Sequence, residues 1–337
     1  MKTTFLTFVL LMTCFLLNAQ EPPMKLLQPK ALTKGDTVAI VAPAGILLHK
    51  EGVIDKAKMI LESWGLHVVF GENIFNNGKH FAGTDEERLE DFQKALDSEN
   101  IKAIWAARGG YGSVRILDRL NFSKFLNNPK WIIGYSDITA FHNHLHQLGV
   151  ESIHGMMATS LQNELEEIVE SLTTFKKALF GEALHYQISS SDYNRIQTSS
   201  SPDKAIEGQL VGGNLTLLAS MLGSESQLNT DGKILLIEEI GEYKYSIDRM
   251  LQSLKRAGYF THVKAVLVGD ISNIKPNTTQ WGSPIEALIL DALPKDVPVI
   301  FDFPAGHEFD NRALIMGRNM KIEPLETNLI QIQFDSK

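Results

Sequence analysis

Three short segments of this chain place chemically useful residues where a strand pattern stops. In Gly134-Tyr135-Ser136-Asp137, the serine lies between the apolar run Trp131 to Gly134 and a helical stretch, Ile138 to Leu148. A serine on a strand-to-helix turn carries its hydroxyl clear of the sheet, and the helix N-terminus adds N–H groups and positive potential beside it. That suits attack on a carbonyl. Position 138 is Ile where a nucleophile elbow has a second Gly, so capping the helix is the plainer role for Ser136. The second segment is Ala107-Arg108-Gly109-Gly110-Tyr111-Gly112, after the strand-like run 101–107. Adjacent glycines let backbone approach a ligand, as an oxyanion donor requires, or simply make a tight turn. The spacing fits neither a P-loop nor a dinucleotide fingerprint. The third is Pro304-Ala305-Gly306-His307, where a histidine at a strand end can act as general base. Such a base needs an orienting carboxylate. Glu238-Glu239-Ile240-Gly241-Glu242, closing the apolar strand Ile234 to Ile237, offers candidates. Alternation sends Glu238 and Glu239 to opposite sides, one of them free to face solvent.

The elements that must carry these loops alternate strand and helix. Thr37 to Ala42, His67 to Phe70, Ile101 to Ala107 and Trp131 to Gly134 read as strands. Helical patterns at Glu51 to Trp64 and from Thr84 to about Leu96 separate them, the latter opened by a Thr84/Glu87 capping box. This rhythm predicts a parallel sheet covered on both faces. Residues 182–204, with two Ser triplets, read as an irregular linker. Beyond it come strands at 208–211, 233–240, 263–271 and 297–301, a helix at 245–257, and a strand-like tail from 313 to 334. The expected division is 30–181 for the first domain and 205–334 for the second.

Composition narrows the classes. The 337 residues suggest about two domains, and 44% hydrophobic with 21% charged residues is globular usage. The formal net charge of -8, without a long basic run, argues against nucleic acid as a partner. Lys2, the apolar run Phe5 to Leu17 and Ala19 predict a signal peptide over residues 1–19, cleaved after Ala19. Cleavage would remove Cys14, the single cysteine, which excludes a cysteine nucleophile or a Cys-based zinc site. An exported, periplasmic protein with no membrane span in the mature chain is therefore expected.

Taken in order, the motifs Ala-Arg-Gly-Gly-Tyr-Gly, Gly-Tyr-Ser-Asp, Gly-Gly-Asn-Leu (212–215), Leu-Ile-Glu-Glu-Ile-Gly-Glu with Ile247-Asp-Arg-Met-Leu251, and Ala-Gly-His (305–307) closely resemble the LD-carboxypeptidase family of serine peptidases. The resemblance runs from about Leu32 to Met320. It implies an α/β protein: an N-terminal flavodoxin-like parallel-sheet domain bearing the nucleophile, and a smaller β-rich C-terminal domain bearing the other two triad members. It implies Ser136 as nucleophile, Glu238 as carboxylate and His307 as base, and this overrides the cap reading of Ser136. It also implies oxyanion donors at the N–H groups of Asp137 and Gly110 (Gly109 being the weaker choice), no metal or other cofactor, and commonly a homodimer. The family's substrate is a murein tetrapeptide, cleaved before its terminal D-Ala. Arg108, beside the glycine loop, is then a candidate partner for the terminal carboxylate.

Other features read more plainly. His142 and His146 have metal-ligand spacing on one helix but no third placed ligand, so a helix surface is expected for them. His154 is either cleft wall or a structural histidine. Two rival functions remain: a related hydrolase of peptidyl-adenylate antibiotics, which calls for an aromatic-lined nucleobase slot, and a non-catalytic periplasmic binding protein, which has no need for Ser136, Glu238 and His307 to converge.

Overall fold

The computed structural model describes residues 26–196, 205–325 and 328–335. The expected signal peptide and the last part of the expected linker lie outside these residues. Among the described residues, no helix is long and apolar enough to cross a membrane.

The first sheet is built on β1 (Thr37–Val41), β2 (His67–Phe70), β3 (Ile101–Ala106), β4 (Trp131–Gly134) and β5 (Ser152–His154). These five run parallel in the order β2-β1-β3-β4-β5, the flavodoxin-like order. Their near-continuous apolar sequences follow from burial on both faces. One face packs on α1 (Glu51–Ser63) and α6 (Val169–Phe180). The other packs on α2 (Asp85–Asp97), α3 (Ser113–Leu117), α4 (Ser123–Asn127) and α5 (Thr139–Gln147). The Thr84/Glu87 capping box that opens α2 is formed on both sides.

The second sheet has seven strands. In chain order these are β6 (His185–Ser189), β7 (Ile206–Asn214), β8 (Ile234–Ile240), β9 (Ala265–Ser272), β10 (Val299–Ile300), β12 (Asn319–Pro324) and β13 (Leu329–Phe334). β7 to β10 are parallel, while β12, β13 and β6 extend the sheet antiparallel. Three helices, α7 (Leu215–Ser220), α8 (Lys244–Arg256) and α9 (Ile285–Ala292), cover its outer face. The remaining strand, β11 (Leu314–Met316), crosses back and pairs antiparallel with β5 at the edge of the first sheet.

Two expectations about boundaries need correction. Part of the 182–204 stretch is regular: β6 pairs with β13, and its alternating burial marks an edge strand that shows one face to solvent. The second sequence block is not self-contained either, because β11 belongs to the first sheet. The inner faces of the two sheets also share one apolar core, which runs from Trp105 and Phe175 to Leu236, Phe303 and Ile322.

Candidate active site

Ser136 comes one residue after β4, following Tyr135, and opens a 3-10 turn, Ser136–Ile138, that leads into α5. Its φ of 60° lies in the left-handed region, uncommon for a residue with a side chain and typical of a strained turn that presents one. Gly134 is required by space: a Cβ there would lie 2.7 Å from Ile138 Cγ1. Ile138 thus packs where the elbow's second glycine would have sat, and the sharp turn survives the change. Ser136 does not cap α5. Its hydroxyl faces His307.

The three segments converge. His307 Nε2 is 3.0 Å from Ser136 Oγ, and His307 Nδ1 is 2.8 Å from Glu238 Oε2. A carboxylate only accepts, so Nδ1–H donates to Glu238 and Nε2 is left to accept from the serine hydroxyl. The Glu238 side chain is fully buried, and its Oε1 has no hydrogen-bond partner among the described residues. Burial pulls the His307 pKa down. The Glu238 hydrogen bond and charge, helped by Glu239 and Asp270, outweigh that and leave it raised. The Tyr135 ring stands edge-on to the imidazole at 5.0 Å.

Glu239 does something different. It is buried rather than facing solvent, which corrects one reading of the acid pair. Its carboxylate accepts from Asn214 Nδ2, from the N–H and hydroxyl of Thr216, and from its own neighbour's N–H at Ile240. It therefore closes the N-terminus of α7. Glycines and hydrogen bonds fasten the second sheet to α5. Gly213 has φ 133°, and a Cβ there would meet Thr139 Oγ1 at 2.4 Å. The same hydroxyl accepts from Asn214 N–H at 2.9 Å. The His307 turn is held from the other side: Gly306 N–H donates to Asn311 Oδ1, and Asn311 N–H to Ser171 Oγ on α6.

The glycine loop lies against the serine. A Cβ on Gly109 would be 3.3 Å from Ser136 Cβ and 3.5 Å from the Asp137 nitrogen. The buried Asp137 carboxylate accepts from Ser113 N–H at 2.8 Å, tying the serine turn to the far end of the loop. Arg88, also buried, donates to the carbonyls of Pro43 and Gly112. Gly110 has φ 101°. Arg108 is exposed, and its Nη1 donates to the Ile46 carbonyl at 2.6 Å. It is not among the residues walling the cleft of about 160 Å³ beside His307. That cleft is lined mainly by hydroxyl and amide side chains, including Thr159, Ser160, Gln162, Asn163 and Asn311.

Family models match both halves of the chain: the LD-carboxypeptidase N-terminal domain over residues 38–155 and the LD-carboxypeptidase C-terminal domain over 207–322. The chain belongs to the LD-carboxypeptidase family. It is 36% identical to a probable murein peptide carboxypeptidase of Bacillus subtilis over 306 residues, 90% of this chain and 93% of that one. The crystal structure of a muramoyltetrapeptide carboxypeptidase from Oxalobacter formigenes superposes with a TM-score of 0.77 at 30% identity, over 88% of this chain and 98% of that one. The microcin C7 self-immunity protein in complex with aspartyl sulfamoyl adenosine shares the fold, with a TM-score of 0.79 at 22% identity over 92% and 99%. Membership makes this chain a peptidase with the two-domain α/β architecture of its relatives.

The helix histidines have no place in the site. His142 is a core residue rather than a surface one: Nδ1 meets Ser152 Oγ, Nε2 meets the Gly134 carbonyl, and burial pulls its pKa down to about 4. His154 is wholly buried, and burial holds it well below the ordinary histidine range. Among the described residues, no group of three or more His, Cys, Asp or Glu is placed to hold a metal.

Proposed function

We propose that this protein is a serine LD-carboxypeptidase that removes the terminal D-Ala from murein tetrapeptides through an acyl-enzyme. One observation carries the reading: the continuous hydrogen-bond chain from Ser136 through His307 to Glu238. In the proposed mechanism, Ser136 Oγ attacks the L,D-amide carbonyl while His307 Nε2 takes its proton. Glu238 steadies the imidazolium through Nδ1–H. The N–H groups of Gly110 and Asp137 receive the oxyanion. Collapse returns the proton to the departing D-Ala amine. Water, activated by the same histidine, then frees the tripeptide and regenerates Ser136. No step calls for a metal or cofactor.

The names of the similar proteins support a murein peptide as substrate. The cleft beside His307 supports a small polar group there better than a nucleobase, since its lining is mostly hydroxyls and amides. Arg108 is proposed to read the terminal carboxylate from the edge of the glycine loop. Export rests on the sequence of residues 1–19, and a homodimer on the family. Mass spectrometry of murein tetrapeptide incubated with purified protein tests the reading. Loss of one alanine from the peptide C-terminus is expected; an intact peptide, or cleavage at another bond, overturns it.

A further inference from the structure

A second carboxylate stands beside His307. Where β8 pairs with β9, the register slips: Ile237 faces Val268, but Glu239 faces Ile271. Glu238 alone therefore opposes two residues, Gly269 and Asp270. A bulge of this kind bends a strand and re-aims a side chain next to a site. Asp270 holds the histidine turn on both sides. Its N–H donates to the Ala305 carbonyl at 2.9 Å, and its Oδ2 accepts from Glu308 N–H at 2.9 Å. The turn between these bonds is Gly306-His307, and a Cβ on Gly306 would lie 3.1 Å from Asp270 Cβ and 3.3 Å from Glu238 Cβ. Gly269 has to lack a side chain for the same reason, since a Cβ there would meet the Ala305 oxygen at 2.1 Å.

Taking Ser136, His307 and Glu238 as the proton relay, we propose that Asp270 is a positioning residue for His307: its carboxylate fixes the turn through Glu308 N–H and adds a second negative charge beside the imidazolium. Among the described residues, the charged and titratable groups around it are Glu238 on β8, Tyr135 beside the imidazole, His307 and Glu308 on the turn, and Glu286 and Asp302 along the neighbouring cleft. Burial is the largest influence on Asp270 and pushes its pKa up to about 7. The Glu308 N–H and the His307 charge oppose this, while the charges of Glu308 and Glu238 add to it. Above that pH Asp270 is an anion and favours protonated His307; below it the carboxyl is neutral and the support is lost.

Asp270→Asn separates the two roles, because the amide oxygen still accepts from Glu308 N–H while the charge is gone. The test follows the His307 imidazole by NMR in labelled free protein, together with kcat/KM against pH for tetrapeptide hydrolysis. In D270N the His307 midpoint should fall by about half a pH unit to one unit, with the acid limb of kcat/KM moving the same way. The plateau should drop about three- to tenfold, carried by kcat rather than KM. Asp270→Ala also strands the Glu308 N–H, and should lower kcat about tenfold further. A His307 titration and a pH profile in D270N that superimpose on wild type overturn the proposal. If wild type fails to hydrolyse tetrapeptide, the functional reading falls, while the His307 titration still decides for or against Asp270.

Discussion

Glu238 and Glu239 are adjacent acids with separate tasks, and single substitutions should separate them. Glu238→Gln keeps the shape but removes the charge that orients and steadies His307, so turnover should fall by about 10³- to 10⁴-fold with the fold intact. Glu239→Gln weakens the closure of α7 and should cost about 1 kcal/mol of stability, with turnover within a few-fold of wild type. Steady-state kinetics and thermal melts on both variants check this; a silent E238Q beside a crippled E239Q would reassign the carboxylate. His307 also sets the pH dependence. It must be neutral to accept the serine proton, and its pKa is raised, so kcat/KM should fall as pH drops through a midpoint above the ordinary histidine value of 6.5. Losing the Glu238 charge should move that limb to lower pH. Ser136 carries strain at φ 60°. Glycine has no such penalty, so Ser136→Gly should be inactive yet more stable than Ser136→Ala by on the order of 1 kcal/mol. Equal melting temperatures for the two would remove strain from the account. At Arg108, amidating the terminal D-Ala should impair cleavage by wild type by about tenfold to a hundredfold and matter far less in Arg108→Ala. Equal sensitivity in both proteins would point to another group for the carboxylate.

At the level of elements, the strand-to-helix turn that carries Ser136 was legible because its parts are local: an apolar strand, Gly134, and a helix start; the role proposed for Ser136 came from the resemblance, since spacing alone read it as a cap. The Gly306 turn that carries His307 was legible for the same local reason. What the sequence could not show is how neighbouring strands shift against each other. Strict alternation sends one of the acid pair outward, yet both are buried, Glu238 toward His307 and Glu239 against α7. Asp270 was passed over for a related reason, since one acid after an apolar strand looks like an ordinary strand end until the bulge places it opposite Glu238. His142 was read as a surface residue because the helix pattern implies one wet face. α5 instead lies between the first sheet and the β7–α7 segment, and is buried on more than one side. That junction makes a prediction. Gly213→Ala forces a methyl group into Thr139 at a backbone angle that disfavours side chains, three residues from Ser136. It should lower both the melting temperature and kcat, whereas Gly232→Ala, where φ is also positive but nothing lies within 4 Å, should lower stability alone.

Across the whole molecule, the proposed triad spans two sheets, and several ties hold them together. These are the shared apolar core, the Gly213–Thr139 contact, the Asn311–Ser171 bond and the return of β11 to β5. None of these was readable from spacing, because each joins segments far apart in the chain. The two-part α/β class was readable, since strand–helix rhythm repeats on both sides of the 182–204 stretch. The proposed nucleophile is the residue on which the account depends most. The most direct measurement is therefore kcat/KM for D-Ala release from murein tetrapeptide by wild type and Ser136→Ala, with binding of the intact peptide to S136A measured alongside. The account predicts that S136A binds the peptide with near wild-type affinity and hydrolyses it at least ~10³-fold more slowly. Hydrolysis by S136A within tenfold of wild type would contradict it.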